Sequence, residues 1–248
     1  MPVARETSVS WLAPAVAIAM GVAVAGWLIG TGFREGRQQD RYVTVKGIAE
    51  RTVSADLVIW PLRVVATGDD LAAVQQQMAE QQTAVIGFLS DAGVSADEIE
   101  LQDLQVTDLY AQAYRSGPVN NRFIVAQTVN VRSGNVALIR ETSERVGELV
   151  NAGVVLSSDR GPAGSSPTYL FTGLVALKPD MIAQATANAR QSAEQFAADS
   201  GSALGGIRRA NQGLFQILAR DKAPNTQQAQ QVEKTVRVVS TIEYLLLD

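Results

Sequence analysis

The sequence predicts an α+β domain built from two related βαββ units and preceded by one membrane-spanning helix. Three observations carry that expectation. The N-terminal region holds a long uncharged apolar run; runs of strand-type alternation and of helical spacing then follow one another; and one order of elements returns about 108 residues later. Residues 1–9 read as a tail, 10–33 as the anchor, 34–40 as a polar tether and 41–248 as the soluble domain.

Composition narrows the chemistry first. Of 248 residues, 46% are hydrophobic and 19% charged, which supplies a packed core and argues against disorder. The net charge of −4, with no Lys/Arg cluster interleaved with aromatics, argues against a nucleic-acid partner. Cysteine and histidine are absent. The chain therefore has no disulfide, no thiolate nucleophile and no imidazole base, and Ser-His-Asp and Cys-His constellations cannot form within it. Structural zinc lacks its usual ligands, and no cofactor is expected. The lack of cysteine does not identify the compartment.

The anchor comes first in the chain. No charged residue occurs from Thr7 to Phe33, and Trp11 to Gly32 is about 22 residues, enough to cross a bilayer core as a helix. Trp11 and Trp27 lie towards its ends, where amphipathic rings favour the headgroup level. A signal peptide is the competing reading, because Ala23-Val24-Ala25 has the small-x-small form of a cleavage site and Arg5 could serve as the basic flank. Trp27-Leu28-Ile29 carries the apolar run past that site and favours an uncleaved anchor; the alternative is a secreted protein. Arg34, Arg37 and Arg41 follow the segment whereas only Arg5 and the amino terminus precede it, so the basic-residue count alone would leave the domain in the cytoplasm. Ala13, Ala17, Gly21 and Ala25 are spaced by four, and Gly26 and Gly30 form a G-x-x-x-G; such rows let membrane helices pack, so self-association into a homo-oligomer is expected.

The soluble part begins with a strand at Tyr42–Gly47 and a second at Leu57–Val65, where Pro61 implies an edge or a bulge. Asp69 and Asp70 are N-cap residues for a helix carrying Leu71, Val74, Met78, Val85, Phe88 and Leu89, with Gly93 at its C′ position. Ile99 and Leu101 alternate, then Leu104 and Val106 take the opposite parity, which predicts a bulge at Gln102-Asp103. Phe123, Val125, Val129 and Val131 mark a strand. A helix over about Asn135–Val150 buries Leu138, Val146 and Leu149. A short strand at Val154–Leu156, a Gly/Pro/Ser loop from Ser157 to Pro167 and a strand at Tyr169–Leu177 come next. A helix beginning at Pro179-Asp180 carries Ala185, Ala189, Ala193 and Ala197 in a row that lets it approach a sheet, and Gly201 ends it. Strands at Ile207–Leu218 and Val232–Leu247 close the chain, with Val236, Val238, Ile242, Tyr244 and Leu246 on one face of the last. Gly93 and Gly201, and likewise Ile99 and Ile207, stand about 108 residues apart, as a duplicated βαββ unit requires.

Val43-Thr44-Val45-Lys46-Gly47-Ile48-Ala49-Glu50, followed by Ser54-Ala55-Asp56-Leu57, is similar to the start of SIMPL-domain proteins, in which a V-x-V-x-G-x-(A/G)-E strand precedes a Pro/Ala-Asp turn. The Ala-spaced helix, Gly201 and Leu204-Gly205-Gly206-Ile207 resemble the second signature of that family. The resemblance spans residues 41–247 and implies an α+β domain of two related halves. Its bacterial members are mostly exported or envelope-anchored, without an assigned activity, and some are described as periplasmic immunogens or oxidative-stress defence proteins. It therefore implies a single-pass protein of the inner (cytoplasmic) membrane with its domain in the periplasm. The chain departs from the pattern at Lys46 and Ile48, and at Ser54-Ala55, where Pro often precedes the Asp.

For catalysis the sequence offers only carboxylate groups: Asp69 with Asp70, and Asp97 with Glu98 and Glu100. Such clusters can do acid–base work or bind a hard cation, but these sit at element starts, where acidic residues cap and solvate. No P-loop, G-x-G-x-x-G or G-x-S-x-G occurs. The expectation is a non-catalytic binding or oligomeric scaffold module with an envelope protein as partner; an enzyme using carboxylates is the alternative. The surfaces expected to meet a partner are two long loops, Ala111–Asn121 and Ala219–Gln231, because Tyr and Arg dominate binding hot spots. Tyr110, immediately before it, and Tyr114, Arg115 and Asn120 go with the first; Arg220, Lys222 and Asn225 belong to the second.

Overall fold

The computed structural model describes residues 12–38, 41–111, 120–157, 166–221 and 227–247, with side chains of the first helix described from 14 to 32. In chain order the elements are α1 (Leu12–Gln38), β1 (Tyr42–Ser54), β2 (Leu57–Gly68), α2 (Leu71–Asp91), β3 (Ile99–Asp108), β4 (Phe123–Ser133), α3 (Val136–Glu144) and α4 (Gly147–Asn151). Then come β5 (Thr168–Leu170), α5 (Leu174–Asp199), β6 (Ala203–Gln212), β7 (Gln216–Ala219) and β8 (Glu233–Leu247). The chain is α+β with two antiparallel sheets. It divides into two units: one drawn from Met1–Ala49, Ile182–Leu214 and Val238–Asp248, the other from Glu50–Met181 and Phe215–Arg237.

In the first unit, α1 is long and apolar enough to cross a membrane over Pro14–Gly32, 19 residues with mean hydropathy 1.8 and none of that window buried. The helix continues through Arg34 to Gln38, so the segment expected as a tether is helical there. Arg, Glu and Gln end the apolar run without ending the helix, because all three are good helix formers. In its sheet β1 lies beside β8 and β8 beside β6; β7 and the stretch of β8 that it pairs, Lys234–Arg237, belong to the second unit. The Leu246 N–H bonds the Arg41 carbonyl at 2.9 Å where β1 begins. Strand alternation points Val43, Val45 and Ala49 inward; Val43 and Val45 pack against Ala189, Ala193 and Ala197 of α5 and Ile242, Tyr244 and Leu246 of β8. The alanine row thus packs on the sheet as its spacing predicts. Lys46 and Ile48 face the other way and are exposed, which is why that departure from the family pattern leaves the core untouched.

In the second unit the strand order is β3-β4-β2-β5. Val58, Trp60, Leu62 and Val64 of β2 are fully buried with Val129 and Val131 of β4, and α2 covers them with Val74, Met78, Val85 and Leu89. Asp70 caps α2, its carboxylate accepting from the Ala73 N–H at 2.9 Å. Gly93 takes φ +94 at its end, and the Val94 N–H returns to the Leu89 carbonyl, as the sequence indicates. The expected bulge is present: the β3 register shifts between Gln102 and Gln105, and Asp103 has φ 53. Pro61 costs no ladder bond. β2 pairs β5 only over Leu57–Ile59, and further along the Arg63 carbonyl and Val65 N–H bond Ser157 and Val155. Pro61 has the parity of those residues and falls in the gap between the two pairings.

Several expectations are corrected. The region Tyr169–Leu177 is not one strand: β5 stops at Leu170 and α5 already begins at Leu174, so Pro179 lies inside that helix rather than in its first turn. Leu174-Val175-Ala176-Leu177 is apolar and short enough to fit either period. What decides is Asp56, more than a hundred residues away in sequence, whose carboxylate accepts from the Thr172 and Gly173 N–H groups at 2.7 and 2.9 Å and so satisfies the entry to the helix. The helix expected over Asn135–Val150 is broken into α3 and α4; Leu149 is buried as expected, but Ile139 rather than Leu138 is the buried residue of α3's apolar face. Val154–Leu156 makes a single bridge, Leu156 to Val64, rather than a strand.

Candidate functional site

Within the second unit the described residues form a pocket of about 420 Å³. Its floor comes from Tyr169 of β5, only 5% exposed, and from Val232, which precedes β8. Tyr169 points there because β5 pairs Val58 of β2, the neighbouring strand. Burial pushes the Tyr169 phenol up, opposed by its hydrogen bond with Ser143 and by the charge of Arg140. The rim is charged. Arg140 and Glu144 stand one helical turn apart on α3, 3.6 Å from each other, and Arg220 and Asp221 follow β7 with 3.8 Å between them. Glu233 completes the wall and accepts a 2.6 Å hydrogen bond from the Ser54 hydroxyl. Gln231 and Asp221 exchange two bonds: the Asp221 N–H donates to Gln231 Oε1 and Gln231 Nε2 to the Asp221 carbonyl, at 3.1 and 2.8 Å.

Directly after Glu233, Lys234 is fully buried and donates from Nζ to the Gln228 carbonyl at 2.6 Å. Burial holds its ammonium below the ordinary lysine range. It pins the 3-10 turn Gln228–Gln230, which supplies Gln230 to the pocket wall.

A second polar assembly closes the base of the β3–β4 loop. The Arg122 guanidinium contacts both oxygens of Asp108, the shortest contact being 2.8 Å, and lies over the rings of Tyr110 and Phe123 at 5.5 and 4.7 Å. The Asp108 carboxyl is held below its ordinary range chiefly by that Arg122 bond. The Arg122 N–H also donates to Asp69 at 2.9 Å.

The sequence-derived residues divide between these places. Arg220 lines the pocket; Tyr110 stands in the loop clamp, and Asn120, two residues before Arg122 in sequence, is exposed. They are not brought together. Tyr169 pairs near one end of β2 at Val58 and Ile124 near the other at Thr67, roughly nine residues and so about 30 Å apart. Tyr114, Arg115, Lys222 and Asn225 lie outside the described residues. In the segment expected as the anchor, Ala17, Gly21, Ala25, Gly26 and Gly30 are exposed on α1, while the side chain of Ala13 lies outside those described. Sequence reasoning missed Arg140, Glu144 and Tyr169. The i,i+4 charge pair on a helix and a lone tyrosine after a Gly/Pro/Ser loop were the only signals, and both are common.

The acidic clusters have local partners. Asp70 caps α2, Asp69 holds Arg122, Glu98 accepts from the Ser95 N–H at 3.2 Å, and Glu100 accepts from Gln102 at 2.7 Å. Among the described residues no group of three or more Asp, Glu, His or Cys is arranged to hold a metal ion.

Against family models, the chain matches SIMPL, described as a protein of unknown function (DUF541), over residues 43–244. A comparison with curated proteins gives no match.

Proposed function

The chain belongs to the SIMPL family, and from that premise we propose that it is a membrane-anchored, extracytoplasmic binding module acting as a non-catalytic, oligomeric scaffold in the cell envelope. The observation that carries this is α1: an unburied 19-residue apolar span joined by a few residues to the folded domain. Such a helix lowers its free energy by entering a bilayer. In this reading it crosses the inner membrane once, uncleaved, with residues 41–248 in the periplasm, and the module serves in an envelope or oxidative stress response with a protein partner. The non-catalytic part rests on the clustered carboxylates Asp69, Asp70 and Glu98, which are engaged in a cap and in hydrogen bonds.

The domain is further read as a duplicated βαββ unit. The orders β2-β4-β3 and β1-β8-β6 are alike, each with a helix on the sheet and an irregular register in its third strand. In this form β1 fills the position that the sequence assigned to Tyr169–Leu177.

Reporter fusions after Asp248 test the placement. Alkaline phosphatase active there, with a cytoplasm-only fluorescent reporter dark, is the expected result; the reverse pattern overturns the orientation. A mature amino terminus at Gly26 replaces the anchor with the secreted alternative. Affinity capture from detergent extract then reads the partner.

A further inference from the structure

The pocket beneath Arg140 and Arg220 has the chemistry of a receptor for a small zwitterion, and we propose that it binds a free dipeptide with an apolar side chain. This rests on the binding-module reading and supplies its ligand class.

Three features combine. The floor, Tyr169 and Val232, is apolar apart from the phenol, and suits a hydrocarbon side chain. The rim presents both signs of charge in two places, Arg140 with Glu144 and Arg220 with Asp221. Their separations of 3.6 and 3.8 Å are well beyond the roughly 2.7–2.9 Å of a tight charge-assisted bond, and all four side chains are half or more exposed. Each guanidinium keeps donors, and each carboxylate keeps acceptors, for a ligand to use. Finally, the wall between them is held in place. Glu233 is fixed by Ser54, and Asp221 by Gln231 through two backbone-directed bonds, so little ordering remains to be done on binding.

Charge selects the zwitterion. Among the described lining residues Glu144, Asp221 and Glu233 outnumber Arg140 and Arg220, so a simple anion meets repulsion there, while a simple cation leaves both guanidinium groups unanswered. A molecule with a carboxylate at one end and an ammonium at the other satisfies both. About 420 Å³ lies in the lower part of the range for small-molecule sites, roughly 300–1,000 Å³, which matches a dipeptide.

The test is equilibrium dialysis of the full chain in detergent against labelled L-alanyl-L-leucine, with its N-acetyl and C-terminal amide forms as competitors. Saturable uptake is expected, with either blocked form weaker by about tenfold or more, since each loses a charged contact. Arg220→Ala should weaken uptake by a similar factor while the melting temperature stays unchanged. Should that variant melt early, Arg140→Gln provides the same reading from a helix-surface position. Absence of saturable uptake at about 10 mM, a concentration that reveals even millimolar affinity, overturns the proposal. So does equal competition by all three forms. Neither result bears on the reporter fusions, so the anchored-module reading can stand or fall separately.

Discussion

Gly47 of β1 lies directly against Ala189 of α5: a methyl group at Gly47 would come 2.8 Å from the Ala189 Cβ and would sit on the Ala185 carbonyl oxygen. The alanine row and the glycine are thus two halves of one contact, reinforced by Asn188, whose Nδ2 donates to the Ile48 carbonyl at 2.8 Å. Gly47→Ala should destabilise the protein by about 1–3 kcal/mol through overpacking. The opposing gain from a stiffer unfolded chain is about 0.4–1 kcal/mol and does not offset a clash with backbone. A lower urea midpoint with an unchanged slope is the expected reading; an unchanged midpoint would show that helix and strand can separate cheaply.

Asp56 holds the entry to α5 by accepting from the Thr172 N–H, the Thr172 hydroxyl and the Gly173 N–H. Asp56→Ala should therefore cost about 1–2 kcal/mol, the scale of a lost helix cap. Asp56→Asn keeps an acceptor oxygen and should recover part of that loss. Equal destabilisation by both variants would assign the effect to charge rather than to the hydrogen bonds.

These contacts explain what the sequence disclosed. The period-two pattern of β8, the β3 phase switch and the glycine stops at Gly93 and Gly201 are local signals and were legible. The start of α5 was not, because its capping carboxylate comes from Asp56, remote in sequence. The same holds at Ala55: its N–H donates to the Val232 carbonyl at 2.8 Å, a bond that the proline common there in the family could not make. The pocket was half legible. Arg220 stood out in a long loop, but Arg140 and Tyr169 reach the same place only through α3 packing and the β2–β5 pairing.

The Asp108–Arg122 pair should give a measurable pH signature. The folded carboxyl is held low, so its contribution is present above the ordinary carboxylate range near about 3.9 and is lost as pH falls through the lowered folded value. In a carboxyl-detected NMR titration Asp108 should titrate below its ordinary range. Arg122→Gln should move it back up, because the guanidinium bond is the largest cause of the shift. No movement in that variant would transfer the cause to the Tyr110 N–H, which also donates to Asp108.

Lys234 predicts the opposite limb. Its folded ammonium is lowered by burial while the unfolded value stays near about 10.4, so the unfolded chain binds more protons between the two. Stability should rise with pH across that window, and below it the cost of burying the charge is fully present. Lys234→Met removes the titration. The stability difference between wild type and Lys234→Met should shift towards wild type as pH climbs to the ordinary lysine value. A difference independent of pH would mean that folding leaves the Lys234 ammonium at its ordinary value, against the effect of burial.

The last prediction concerns α1 in the role proposed for it, as a membrane anchor. On α1 the glycines at 21, 26 and 30 are open, and a methyl group at any of them would meet nothing within 4 Å. Their smallness is therefore not required by packing within the chain. In a bilayer, apolar burial gives no drive for helices to associate, and close backbone approach over small residues takes its place. Gly21 and Gly26 fall on different four-residue rows, one continued by Ala17 and Ala25 and the other by Gly30, so a double substitution blocks both. Gly21→Ile with Gly26→Ile should lower self-association in a membrane two-hybrid assay while leaving the helix apolar and membrane-inserted. Gly21→Ala with Gly26→Ala should retain most of the signal, since alanine still permits close approach. If the double isoleucine variant associates as strongly as wild type, the seam is not on α1, and the oligomer must be held by the domain of residues 41–248 instead.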